Sequence, residues 1–204
     1  IAAALSIADP RERPADQAEA ADTAHARFRH PESDFLTLLR IWDAFAKARK
    51  TMGTGRLKRY CRQHFLSFPR MREWRDLHSQ LAEEVKEGGL TDGKDAAPKE
   101  KEALGNPDKD RYGAIHRAIL SGFLSGIAVR RKKQLYQAAR GREAMLFPGS
   151  SLFNNPPEWI AAAEMVETSR LFARTAARID SRWLEPLGGS LCRRTHLAPH
   201  WERK

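Results

Sequence analysis

Apolar positions in the first half of the chain recur at helical spacing. After a short apolar run, Ala2 to Ile7, comes a charged turn, Asp9-Pro-Arg-Glu-Arg-Pro14. Pro14 suits the first position of a helix, and residues 15–28 are alanine-rich up to the His30-Pro31 stop. Ser33 is an N-cap for a strongly amphipathic helix in which Phe35, Leu38, Leu39, Trp42, Phe45 and Ala46 form the apolar stripe. Thr51 to Gly55 is a loop before a basic helix carrying Leu57, Tyr60, Cys61 and Phe65. Pro69 opens another helix with Met71, Trp74, Leu77, Leu81 and Val85 on one face, ended by Gly88-Gly89. The pattern predicts a bundle of about four helices over this half.

Residues 88–109 are polar and broken by Gly and Pro, which marks a boundary, with a short helix possible at 99–104. A helical pattern at 110–125 places Tyr112, Ile115, Ile119 and Phe123 inward. The period then changes. Segments 127–129, 134–138 and 143–147 are short, apolar and separated by basic or glycine-containing turns, as in a small sheet or barrel. Residues 158–179 are ambiguous. Their alanines favour helix, while Trp159, Ala161, Ala163 and Met165 alternate as a strand would. Asp180 is a candidate cap for a last helix, Ser181 to Leu187.

Composition refines this picture through charge. The chain carries a formal net charge of +10, unevenly spread. Residues 1–110 hold 20 Lys/Arg against 19 Asp/Glu, and residues 111–204 hold 16 against 7. Within the first half, residues 47–75 hold ten basic residues and a single acid, Glu73. Two basic zones point to a polyanion, nucleic acid being the commonest, or more simply to a solvated basic face. No apolar run approaches the length needed to span a membrane. The opening, Ile1-Ala-Ala-Ala-Leu5, has no basic segment before it and is not a signal peptide, so the chain reads as a piece of a longer protein. Cys61 and Cys192 form no disulfide pattern, which fits a reducing, cytoplasmic setting. Cys192, His196 and His200 share a C-x3-H-x3-H spacing that needs one more ligand for a structural zinc.

Catalytic motifs are lacking: no G-x-x-x-x-G-K-[ST], H-E-x-x-H, G-x-S-x-G or paired C-x-x-C occurs. The informative stretch is Phe147-Pro-Gly-Ser-Ser-Leu-Phe153, where small hydroxyls follow a Pro-Gly turn. Ser150 and Ser151 there suit a phosphate oxygen, or simply cap the turn.

Four ordered stretches carry a resemblance: Ala4-Leu-Ser-Ile-Ala-Asp-Pro-Arg-Glu-Arg-Pro14, Phe28-Arg-His-Pro-Glu-Ser-Asp-Phe-Leu-Thr-Leu-Leu39, Phe147 to Phe153, and Val166-Glu-Thr-Ser-Arg170. Together with Tyr60-Cys61-Arg62, Met71-Arg-Glu-Trp74 and Pro199-His-Trp-Glu202, they resemble the helicase-associated region of DEAH-box RNA helicases, most of all the bacterial HrpA type. The resemblance implies an α+β fold: a ratchet-like helical bundle over 1–108, an OB-like barrel over 109–190 and a tail from 191 to 204. It makes 158–179 a strand pair, against propensity. It also implies RecA-like domains elsewhere in the same polypeptide that use ATP and Mg, with no cofactor in this segment. The family's Pro-Ser motif usually opens with His, whereas here Phe147 stands first and Gly149 follows Pro148.

On that basis the expected role is an accessory wall of an RNA channel that grips single-stranded or structured RNA through phosphate. The candidate contacts are Ser150 and Ser151 at the turn, Arg130, Arg170 and Arg174 on the barrel, Arg11 and Arg13 at the bundle edge, and Arg56, Lys58 and Arg59 on the basic helix. The rival reading is a protein- or ribosome-docking module, for which Trp159 and Trp183 would be the exposed anchors.

Overall fold

A computed structural model describes residues 1–89 and 107–192. The sequence features assigned to 99–104, to His196 and His200, and to Pro199–Glu202 lie outside the described residues.

The N-terminal part is helical: α1 (Ala2–Leu5), α2 (Ala18–Ala26), α3 (Asp34–Thr51), α4 (Thr54–Gln63) and α5 (Phe68–Glu87). Ser33 caps α3 as expected, its Oγ accepting the Leu36 N–H at 3.1 Å. The stripe that α3 buries is Phe35, Leu38, Ile41, Phe45 and Ala48. Ile41 thus lies at its centre, and Leu39, Trp42 and Ala46 flank it half-buried. This corrects the stripe read from sequence, which shares the helical period but is rotated toward Trp42. Trp42 packs at the rim, its ring 5.2 Å from Trp74 and 4.7 Å from His78. Leu57 and Cys61 of α4 and Met71 and Trp74 of α5 close the core, with Leu77 and Leu81 partly buried and Val85 exposed.

Residues 10–12 clamp the α4–α5 corner. Pro10 O accepts from Ser67 N at 2.8 Å, Phe65 O accepts from Glu12 N at 2.8 Å, and Arg11 bridges Leu66. Phe65 has φ 51° there, taking the left-handed position that usually falls to glycine after a helix.

The C-terminal part is a closed five-stranded barrel in the order β1-β2-β3-β5-β4. Its strands are β1 (Ile127–Lys132), β2 (Leu135–Ala138), β3 (Glu143–Leu146), β4 (Trp159–Glu167) and β5 (Leu171–Arg178). Every neighbouring pair is antiparallel except β3 with β5, and β1 with β4 completes the closure. The interior is filled by the large ring of Tyr136 and otherwise by small and medium side chains, among them Ala128, Ala144, Leu146, Leu152, Ile160, Ala162, Ala173 and Ala176. Helices α6 (Pro107–Gly122) and α7 (Leu184–Gly188) pack outside it. Leu120 meets Ala161 and Ile179 there, and Trp159, Trp183, Leu184 and Leu187 cover them.

The strand pair at 158–179 is therefore real, and its alanines have a reason. Ala162 and Ala176 face the barrel interior, while Ala161 meets Leu120 outside and Ala177 pairs with Ser33 of the bundle. A β-carbon added at Gly126 would lie 2.0 Å from Ala162 O, so the backbones themselves touch. Small residues are what allow packing on both faces of this ribbon.

Candidate nucleic-acid interface

Bundle and barrel meet at the turn singled out in the sequence. Asp34, the first residue of α3, is buried and aims its carboxylate at the turn after β3. Asp34 Oδ2 accepts from Ser150 Oγ at 2.7 Å and from Ala176 N at 3.0 Å, and Oδ1 accepts from Ser151 N at 2.7 Å. Ser150 Oγ also accepts from Leu152 N at 3.2 Å, and Ser151 Oγ lies 3.3 Å from Thr37 Oγ1. From the bundle, Arg29 Nη2 donates to Ser150 O at 3.0 Å. Thr175 has φ 51°, an uncommon conformation for a β-branched residue, just before the Ala176 N–H that reaches Asp34.

Ser150 and Ser151 are only 3% and 9% exposed, and both hydroxyls face protein partners. Both hydroxyls are taken up inside the protein, where the two serines anchor the barrel to Asp34. Ser150 does brace its turn through Leu152 N, as the capping alternative has it.

A second set of bonds lies beside this latch. Tyr112 OH donates toward Glu32 O and Arg178 O at 2.9 and 2.8 Å, and Arg178 N donates to Glu32 O at 2.9 Å. Ser33 Oγ is 2.7 Å from His116 Nε2, and His116 Nδ1 is 2.7 Å from Tyr112 O. Because a carbonyl only accepts, Nδ1 carries the proton and Nε2 accepts the Ser33 hydroxyl. Burial holds the His116 pKa down to about 4, against a smaller opposing effect of the Tyr112 carbonyl, so the ring is neutral at physiological pH. Sequence reading missed Asp34, Tyr112 and His116. An acid at the first turn of a helix reads as ordinary dipole compensation, and nothing local shows its long-range partners.

The candidate cations fall into distinct environments. Arg11 forks onto Asp9 (Nη2–Oδ2 2.6 Å), and Arg13 onto Asp22 (Nε–Oδ1 2.7 Å). Both are committed to carboxylates at the bundle edge. Arg56, Lys58 and Arg59 are exposed on α4, with Lys58 Nζ 5.6 Å from the centre of the Phe68 ring. On the barrel, Arg130 Nη1 donates to Pro156 O at 2.6 Å. Arg170 extends across the sheet, with Nη1 3.3 Å from Met145 Sδ. The Arg174 guanidinium lies 4.5 Å from the centre of the Phe147 ring.

Arg170 and Arg174 belong to one outward face. Leu135, Met145 and Phe172 form a rung across β2, β3 and β5, and Val166 and Glu164 continue it onto β4 opposite Phe172 and Arg174. Lys132 and Lys133, at the β1–β2 turn, stand at one end of this face, and Arg170, in the β4–β5 turn, enters from the other. OB barrels bind oligonucleotides on the β2–β3 face between these two turns. The rival anchors, Trp159 and Trp183, are partly buried against α6 and α7 instead. Cys192, the one described member of the candidate zinc set, is exposed with its Sγ 3.6 Å from Leu184 O.

Comparison with known proteins agrees with this architecture. The family model described as Oligonucleotide/oligosaccharide-binding (OB)-fold matches residues 115–191. The ATP-dependent RNA helicase HrpA of Escherichia coli is 43% identical over all 204 residues, and its Haemophilus influenzae homolog is 38% identical over the same length. The probable ATP-dependent RNA helicase DHX35 of Homo sapiens is 29% identical over 203 residues, covering 98% of the chain. The chain spans 15% of the length of either bacterial relative and 25% of the human one. With its helices followed by a closed barrel that matches the OB-fold family model, and its similarity sustained from end to end, the chain is similar to the helicase-associated region of DEAH-box RNA helicases.

Proposed function

We propose that this region forms one wall of an RNA channel and grips a single strand through its phosphates, while RecA-like domains of the same polypeptide bind ATP and Mg and hydrolyse the nucleotide. The observation that carries the reading is the outward β2–β3–β5 face, with Lys132 and Lys133 at one end and Arg170 at the other. Single strands lie across such a face with their backbone tracked by cations. Arg130 and Arg174 extend the basic surface of the barrel, and Arg56, Lys58 and Arg59 offer a second phosphate track on α4. Arg11 and Arg13 hold the bundle edge through their carboxylate pairs rather than contacting the strand. The Asp34 latch keeps bundle and barrel in fixed register, so both walls act on one strand.

Binding of short single-stranded RNA, titrated at several salt concentrations, tests this. With ~4–6 phosphates neutralised, log K falls against log salt with a slope of roughly −3 to −4. Arg170→Ala lowers that slope by about one contact's worth for every sequence tried. Salt-independent binding, or none, would sink the proposal and favour a protein-docking surface.

A further inference from the structure

The barrel face holds an aromatic side chain that phosphate contacts do not explain. Phe147 is 36% exposed, and among the described residues only Val85 and Leu191 are comparably exposed large apolar side chains. It is nevertheless firmly placed. Its N–H donates to Ala173 O at 3.1 Å, prolonging the β3–β5 ladder by one residue, and Pro148 follows. Its ring meets Phe172 edge-on, with centroids 6.3 Å apart and planes at 88°. Gly149 lies against the ring so closely that a β-carbon there would be 2.8 Å from Phe147 Cε1. Arg174 stands over the ring, and Arg170 lies nearby on Met145.

From this geometry we infer that Phe147, Phe172 and Arg174 form a stacking site for one unpaired nucleobase of the bound strand. The inference deepens the channel-wall reading and rests on it. Three properties of the site favour a base over an apolar protein side chain. The ring is fixed by backbone and neighbours before anything binds, so little side-chain entropy remains to be lost. A guanidinium beside an aromatic ring offers a flat, positive surface that suits a base and its attached phosphate together. The cations around it, Arg170, Arg174, Lys132 and Lys133, complement a polyanion, with Glu164 the carboxylate cross-strand from Arg174. Such a site selects single strands, because a base inside a duplex has no free face, and it tolerates all four bases.

The test uses the 204-residue chain and a single-stranded RNA of about ten nucleotides, within the span one OB fold covers, carrying one 2-aminopurine. Binding quenches the 2-aminopurine fluorescence of the stacked base. Phe147→Leu keeps the apolar bulk but removes the π-face, and Phe147→Tyr keeps both. The Leu variant weakens binding by roughly tenfold or more and loses the quench, while its salt slope stays at the wild-type value. The Tyr variant retains affinity and quench. An abasic nucleotide at the responsive position reproduces the loss with wild-type protein. Equal affinity and quench for the Leu and Tyr variants would overturn the stacking site and leave the phosphate grip standing. Failure of the wild-type chain to bind the strand at any salt concentration would overturn both.

Discussion

Replacing Asp34 with Asn changes one atom and tests whether the bundle–barrel junction is held as the structure shows. The carboxylate accepts three hydrogen bonds, two at Oδ2 and one at Oδ1, in a site where Asp34 is 5% exposed. An amide has one acceptor oxygen. If that oxygen stays with Ser150 Oγ and Ala176 N, the NH2 group faces the Ser151 N–H, donor against donor. One bond to a charged acceptor is lost, worth about 1.5–3 kcal/mol, and a buried N–H is left unpaired at about 1–3 kcal/mol. The sum, about 2.5–6 kcal/mol, is a large share of the stability of an ordinary domain. For a chain of this size it lowers Tm by roughly 5–24 °C. Thermal melting followed by circular dichroism reads the change, with Asp16→Asn as an exposed-carboxylate control. An Asp34→Asn protein melting within about 2 °C of wild type would refute the latch as described.

Other consequences follow from the same geometry. The His116 pKa sits near 4 rather than about 6.5, so the unfolded chain takes up the extra proton first as pH falls. Its contribution, about 3 kcal/mol, is fully present above pH ~6.5 and is lost as pH falls from there toward 4; His116→Gln flattens this part of the pH–stability curve, and an unchanged slope would count against the neutral-imidazole assignment. Gly126→Ala drives a methyl to 2.0 Å from Ala162 O and destabilises by about 3 kcal/mol or more, read by urea melting. Gly149→Ser places a β-carbon 2.8 Å from the Phe147 ring, so it lowers stability alone and less when combined with Phe147→His, a coupling that a double-mutant cycle measures.

Helix existence was legible because it depends on local spacing. Ser33 before a 3.6-residue apolar rhythm, and Pro69 and Gly88 around Met71 and Trp74, specify where α3 and α5 begin and end. The short strands at 127, 135 and 143 were legible for the same reason, since turns and alternation are local. The rotation of α3 was not. Leu39 and Ile41 are equally apolar, and only the positions of α4 and α5 decide that Ile41 is central. Residues 158–179 defeated propensity outright. Alanine's intrinsic preference is helical, but a ribbon packed on both faces needs side chains that small, and tertiary packing outweighs a few tenths of a kcal/mol per residue. Family resemblance, not periodicity, carried that assignment.

The candidate site divides in the same way. Sequence by itself determined that the C-terminal half is basic, that a Pro-Gly-Ser-Ser turn matters, and that cations flank short strands; charge and turn chemistry are properties of the residues themselves. Only the tertiary structure decided which groups face water. Ser150 and Ser151 turn inward because Asp34, more than a hundred residues away, meets unpaired donors that burial would otherwise leave unsatisfied. Phe147 turns outward because the alternation of β3 and its pairing to Ala173 leave its ring on the solvent side, beside Arg174. Hydrogen-bond satisfaction and strand register act across the fold, so no local window of the chain contains them.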